Sequence, residues 1–132
     1  MKSLFLTPLF ALLLIACGTS QQSKKIDVNQ LKTEVMAVHD EVMPKMGELR
    51  KLEKELRHQA AEDSSKTDFV VAADRLAAAN DAMMQWMRGF NPKFEGSEEE
   101  VINYLTEQKN KIDQVKENML GALEEGNQLT QN

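Results

Sequence analysis

The sequence predicts an all-α fold, an antiparallel up-down-up three-helix bundle. Apolar residues recur at alternating steps of three and four over most of the chain, which is the spacing of amphipathic helices. Helix start and stop signals divide this pattern into three parts, and no segment shows the two-residue alternation of a strand. Three helices joined by short loops must alternate in direction. The 132 residues are enough for one domain.

The first segment of the chain, residues 1–16, has the composition of a signal peptide. Lys2 precedes an apolar run over 4–15, which is too short to span a bilayer as a stable helix. The motif LIAC at 14–17 resembles the lipobox of bacterial lipoproteins. This resemblance implies cleavage before Cys17 and acylation of that cysteine. The alternative is an ordinary signal peptide in which the cysteine occurs by chance.

The residues after Cys17 bear on where such a lipoprotein resides. Several acyl chains, at about 0.8 kcal/mol per buried methylene, hold a small protein on a membrane. The segment GTS at 18–20 has no acidic residue after the glycine. By resemblance to lipoprotein sorting signals, this implies the outer membrane. No acidic cluster follows either, which favours the periplasmic leaflet over surface display, an alternative that the sequence leaves open.

The charge balance restricts the kinds of partner. After removal of the leader with its Lys2, 15 basic side chains stand against 21 acidic ones, a net charge of about −6. An acidic chain without a row of Lys and Arg is unsuited to nucleic acid or to anionic lipid headgroups. No cysteine follows Cys17, so packing rather than disulfides must stabilise the fold. We therefore expect two partners, the membrane through acyl chains on Cys17 and proteins of the envelope.

The mature chain is expected to begin with the lipidated cysteine and a flexible tether, residues 17–26, followed by the bundle over 27–125. Asp27 is the expected N-cap of the first helix, which extends to about residue 60 on a heptad-like apolar pattern. Pro44 removes a backbone donor inside this helix, so a kink is predicted there. The apolar positions of the pattern are Val28, Leu31, Val35, Val38, Val42, Leu49, Leu52 and Leu56.

The second and third helices have their own start and stop signals. The segment SKTD at 65–68 predicts a cap for the second helix, whose apolar stripe is rich in alanine and which ends near Gly89 and Pro92. The segment SEEE at 97–100 predicts a capping box for the third helix. A polar tail is expected over 126–132.

The first helix also carries an unusual stripe in the segment MAVHDEVMPKM at 36–46. Its thioethers and imidazole follow one another at steps of three and four: Met36, His39, Met43 and Met46. If the first turn lies near residue 63, antiparallel packing places this stripe level with the segment MMQWM at 83–87. We therefore expect one cluster at the loop end of the bundle. Its members are His39, Met43, Met46, Met83, Met84, Trp86, Met87 and Phe90.

Three interpretations of this cluster are open. Methionine fills irregular space beside a kink, so core packing with Trp86 and Phe90 is the simplest. Thioethers and imidazole also select Cu(I), and Trp86 could cover such an ion through a cation–π contact. In the third interpretation, Trp86 and Phe90 belong to an exposed docking patch for envelope proteins. The candidate metal ligands are His39, Met43, Met46, Met84 and Met87.

Catalytic motifs are not evident in the sequence. The segment ELRH at 55–58 has the Glu-x-x-His spacing of carboxylate-bridged di-iron bundles, but those need two such motifs and further carboxylates. With Leu56 on the core pattern, both Glu55 and His58 are expected to face solvent. The sequence contains no HExxH zinc motif and no glycine-rich phosphate loop. We therefore predict a non-enzymatic protein without a cofactor, with Cu(I) binding as the alternative.

The mature chain also resembles small helical lipoproteins of Gram-negative bacteria. The resemblance rests on HDEVMPKM at 39–46 and on DAMMQWM at 81–87, and it covers the first two helices but not the third. Some proteins of this kind carry the label "viral A-type inclusion protein". The resemblance implies a lipoprotein of the envelope and no particular activity.

Overall fold

In the computed structural model, the described part of the chain is residues 26–131. This part contains four helical segments and no strand: α1 (Val28–Val42), α2 (Lys45–Glu62), α3 (Thr67–Gly89) and α4 (Glu98–Thr130). None of these helices combines the length and the apolar composition needed to cross a bilayer. The signal peptide over 1–16, Cys17 and the tether up to residue 25 lie outside the described residues and stay predictions.

The first predicted helix consists of α1 and α2, separated by Met43 and Pro44. Both residues have right-handed helical dihedral angles, with φ −54° and ψ −42° at Met43 and φ −61° and ψ −25° at Pro44. The proline ring therefore interrupts the hydrogen-bond ladder without reversing the chain. Residues at intervals of seven on both sides of the break are fully buried, namely Val35, Val42, Leu49 and Leu56. The described chain is all-helical with three helices, and the first is interrupted at Pro44, the position of the predicted kink.

Two of the three predicted helix starts have the expected caps. Asp27 accepts hydrogen bonds from the backbone N–H groups of Asn29 and Gln30. The capping box of α4 is complete, since Ser97 and Glu100 each bind the other's backbone N–H. The Ser97 N–H and hydroxyl donate to the Glu100 carboxylate and hold the pKa of that carboxyl below its usual value. These local bonds explain why the sequence alone locates both helix starts.

The cap predicted at 65–68 is wrong. Helix α3 begins at Thr67, and the preceding Lys66 makes no side-chain cap. The Ser65 hydroxyl and N–H instead donate to the Asp63 carboxylate, and these bonds lower the pKa of Asp63. A local turn around Asp63 therefore shapes the connection between α2 and α3, and Ser65 lies one residue before the N-cap position, which Lys66 occupies.

One apolar core joins the helices. Helix α2 packs against both α3 and α4, α3 packs against α4, and α1 packs chiefly against α4. The alanines of α3 permit close approach of its neighbours, and larger side chains fill the remaining space. The largest fully buried side chains are Val35, Val42, Leu49, Leu56, Leu76, Met83, Ile112 and Met119.

The polar tail predicted over 126–132 is wrong, because α4 continues to Thr130. Gly126 is buried within this helix, and a Cβ atom there would lie 2.7 Å from Cδ2 of Leu52 and 3.2 Å from Cδ1 of Leu76. Leu129, one turn later, packs against the core. Gly126 therefore marks a close approach of α4 to two other helices and not a helix end. The bundle extends past the predicted boundary at residue 125.

Candidate functional site

Most side chains of the predicted cluster belong to the apolar core of the bundle or pack against it. Six of its side chains do so: Met46, Met83, Met84, Trp86, Met87 and Phe90. Met83 is fully buried, and Met46 and Trp86 are nearly so. Thioethers from α2 and α3 thus reach the same interior, in the environment of side chains that fill a core.

Met43 does not join this cluster, and its predicted place there is wrong. Its side chain is 39% exposed. Met36 and Met43 each follow a fully buried valine, Val35 and Val42. One residue along a helix turns the side chain by about 100°, so both methionines lie at the edge of the core. The predicted stripe therefore lies along the edge of the core, and only part of it faces the interior.

His39 is mostly buried and lies beside Trp86. Its Nδ1 is 2.8 Å from Oδ1 of the neighbouring Asp40, and its side chain is 19% exposed. Its ring centroid lies 5.8 Å from that of Trp86. Because Asp40 occupies one ring nitrogen, Nε2 is the nitrogen that remains for a metal ion.

Trp86 begins a series of neighbouring aromatic rings. Phe90 stacks on the indole at a centroid distance of 4.8 Å. Tyr104 of α4 lies 6.3 Å from Phe90 and stacks at 4.2 Å on Phe94. Such pairs contribute about 0.5–1.5 kcal/mol beyond their burial. Phe90 covers one face of the indole, so a cation–π contact between Trp86 and a metal ion would have to use the other face.

Two buried polar atoms have no hydrogen-bond partner within the described chain: Nε1 of Trp86 and Oδ1 of Asn80. An unsatisfied buried polar group costs about 1–3 kcal/mol. The sequence analysis did not single out Asn80. The sequence did offer a signal for Asn80, because its amide stands three positions before Met83 within an apolar stripe that is rich in alanine. Packing around Trp86 is therefore achieved without full hydrogen bonding.

A surface that the sequence analysis missed is the groove between α2 and α4. It has a volume of about 360 Å³. Its lining residues are Glu48, Lys51, Leu52, Glu55, Leu123, Asn127 and Thr130. The two leucines are the less exposed members and the charged side chains are exposed. An available signal was the recurrence of glutamate at every seventh residue, at 34, 41, 48, 55 and 62. An apolar floor with a polar rim is the composition of a protein-binding surface.

A second groove, between α3 and α4, has a different chemistry. Beside Trp86 it has a volume of about 430 Å³ and is lined by the amides of Gln85, Gln108 and Gln114, with Lys111 as its charged residue. Farther along, small residues such as Ala78 and Gly121 continue the groove. Its charged residues are of both signs, and Arg75 and Glu125 pair with each other, which gives less basis than the first groove for naming a partner.

Comparison with known proteins adds no relative. No family model matches the chain, and no curated protein or solved structure matches it significantly. Within residues 26–131, no three His, Cys, Asp or Glu side chains are grouped so that they could hold a metal ion. What the chain does must therefore be inferred from its own motifs and geometry.

We expect the paired substitutions Met43→Leu and Met87→Leu to lower the free energy of unfolding by less than about 1.5 kcal/mol, because leucine nearly conserves the volume of methionine. We also expect the mature protein to lose Cu(I) to a competing chelator, because its thioethers fill a core. Denaturant unfolding and a chelator titration measure the two effects. Retention of Cu(I) by the unsubstituted protein, abolished by the paired substitutions, would establish the metal site instead.

Proposed function

We propose that this chain is a non-enzymatic adaptor lipoprotein of the cell envelope. It is anchored by acyl chains on Cys17 to the periplasmic face of the outer membrane and binds another envelope protein. The leader over 1–16 and the LIAC motif at 14–17 support the anchor. The α2–α4 groove supports the binding role, because it places leucines between charged side chains on an open surface.

In this proposal the three helices run up, down and up. Ion pairs between helices support that order: Arg57 with Asp74, Arg75 with Glu125, and Lys116 with Glu41. The start of α1 lies beside the loop after α3, because Nζ of Lys32 donates to the carbonyl of Pro92. The tether joins the bundle at this end, so the α2–α4 groove extends toward the end away from the anchor.

The Cu(I) alternative has less support. Four of its five candidate ligands, His39, Met46, Met84 and Met87, lie in or beside the core. Met43 is exposed, however, and Asp40 holds one nitrogen of His39. A metal at this point would have to draw thioethers out of apolar packing.

We expect Cys17→Ser to abolish acylation and to release the protein from the membrane, because the anchor then has no attachment point. The measurement is labelling with an alkyne-tagged fatty acid in a Gram-negative host, followed by fractionation of outer membrane and periplasm. Ser20→Cys in the Cys17→Ser background is the matched control, since it restores a thiol outside the motif. Label on the control, or unlabelled wild-type protein in the periplasm, would contradict the lipoprotein assignment.

A further inference from the structure

The α2–α4 groove carries enough chemistry to name the class of its partner. We infer that it accepts an amphipathic helix of another protein, with two basic side chains seven residues apart and a leucine-like side chain between them. This inference rests on the proposed adaptor function and specifies its binding surface. It follows from the heptad positions of the charges on both sides of the groove.

A row of glutamates runs along α1 and α2. Glutamate recurs at 34, 41, 48, 55 and 62, so one edge of the kinked helix is acidic along its length. The α1 part of this edge meets a cation on α4, since Nζ of Lys116 lies 2.6 Å from Oε2 of Glu41. Lys109 occupies the same heptad position one repeat earlier and pairs with Asp113 of its own helix. Glutamate facing lysine across a helix pair is the arrangement found at coiled-coil edges.

Farther along α4, other residues replace the lysines at this heptad position. The heptad position of Lys109 and Lys116 is taken next by Leu123 and then by Thr130. Both of these residues line the groove together with Glu48 and Glu55. Helix α4 therefore supplies no cation to these two carboxylates. Their contacts lie within α2, since Nζ of Lys45 is 3.9 Å from Glu48, and Glu55 accepts a 2.8 Å hydrogen bond from the Gln59 amide.

The α2–α4 groove has an apolar floor. Leu52 and Leu123 lie between the helices, and Leu120, one turn before Leu123, is 36% exposed. Seven residues of a helix span about 10.5 Å, so a partner helix with cations at i and i+7 can reach Glu48 and Glu55 at once. Its side chain at i+3 or i+4 then lies over the leucines. Such a helix would complete a four-helix arrangement on this side.

Charge complementarity selects a basic partner over a second copy of this chain. The mature chain is acidic, with about six more carboxylates than basic side chains, so two copies repel each other. Lys51 is the cation of the groove lining and is exposed. A cationic amphipathic helix is thus the occupant that the groove fits best.

The test uses the acylated mature protein in nanodiscs of zwitterionic lipid, with empty nanodiscs as the reference. The probe is a fluorescent synthetic helix of about 20 residues, with lysines at i and i+7 and leucine at i+3 and i+4. We expect saturable binding that weakens with added salt. The double charge reversal Glu48→Lys and Glu55→Lys should weaken binding on the order of tenfold or more, because it replaces two attractive pairs by two repulsive ones.

The matched control is the double reversal Glu117→Lys and Glu124→Lys. These residues are also seven apart and exposed, and they lie on α4 outside the α2–α4 groove. The control changes the net charge equally, so we expect it to reduce affinity less than threefold. Equal losses in the two variants, or no saturable binding, would overturn the assignment of the groove. Thermal unfolding by circular dichroism checks that both variants remain folded.

A probe in which glutamate replaces both lysines separates charge from apolar contact, and we expect it not to bind. If it binds as well as the basic probe, the charge complementarity is refuted. The experiments distinguish a wrong assignment of the groove from a wrong assignment of the chain as a lipoprotein. Labelling at Cys17 is measured independently of the groove variants. If the acylated protein does not bind the basic helix, only the assignment of the groove is wrong.

Discussion

Replacing Trp86 with alanine is expected to lower the free energy of unfolding by about 3–5 kcal/mol. The indole is 7% exposed, stacks on Phe90 at 4.8 Å, and lies beside the ring of His39. Truncation removes this packing and leaves a cavity where α1 and α3 meet. Denaturant unfolding followed by circular dichroism measures the effect without relying on the fluorescence of Trp86.

The comparison with Trp86→Phe separates packing from hydrogen bonding. Nε1 of the indole has no partner within the described chain, so phenylalanine removes an unsatisfied donor while retaining an aromatic ring. We expect a loss of less than about 1.5 kcal/mol. Phe94→Ala is the control at an exposed aromatic position, with a loss of about 1 kcal/mol. If Trp86→Phe costs as much as Trp86→Ala, the indole donor is bonded and this account of the site is wrong.

Gly126→Ala is expected to destabilise the bundle although alanine is the better helix former. The new Cβ would lie 2.7 Å from Cδ2 of Leu52 and 3.2 Å from both Cγ of Leu52 and Cδ1 of Leu76. Overpacking of this kind costs about 1–3 kcal/mol, and the gain in helix propensity offsets up to about 1 kcal/mol of it. We expect a net loss of about 1 kcal/mol in the free energy of unfolding.

Gly121→Ala is the matched control in the same helix. A Cβ atom at Gly121 would meet nothing within 4 Å, so propensity acts alone and should stabilise the protein by up to about 1 kcal/mol. The two variants should therefore differ by about 2 kcal/mol in denaturant unfolding with similar slopes. Equal stabilisation by both would mean that Leu52 and Leu76 move aside freely and that α4 does not approach them closely.

Local signals were sufficient for most of the helix boundaries. The cap at Asp27, the capping box from Ser97 to Glu100 and the kink at Pro44 are each made by residues within four positions of one another. Such bonds form in the same way in any tertiary setting, so a sequence pattern predicts them. The segment at 65–68 was the exception, because α3 begins at Thr67 with Lys66 at the cap position, while Ser65 belongs to a turn with Asp63.

The candidate cluster was predicted in part. The predicted antiparallel register placed Met43 level with Met84 and His39 level with Met87. The ring of His39 does lie beside that of Trp86. Met43 was misplaced because its stripe lies one residue beside the true core positions, Val35 and Val42. Two adjacent stripes with the same three- and four-residue steps cannot be ranked by periodicity when both are apolar.

By itself the sequence determined the all-helical class, the caps at Asp27 and Ser97 and the break at Pro44, because each depends on residues close together along the chain. Only the tertiary structure decided that Gly126 continues a helix, that Met43 lies at the exposed edge of the core and that Glu48 and Glu55 border a groove to which α4 supplies no cation. The physical reason is that each of these depends on which side chains of another helix lie opposite. That is set by how closely and in what register the helices pack.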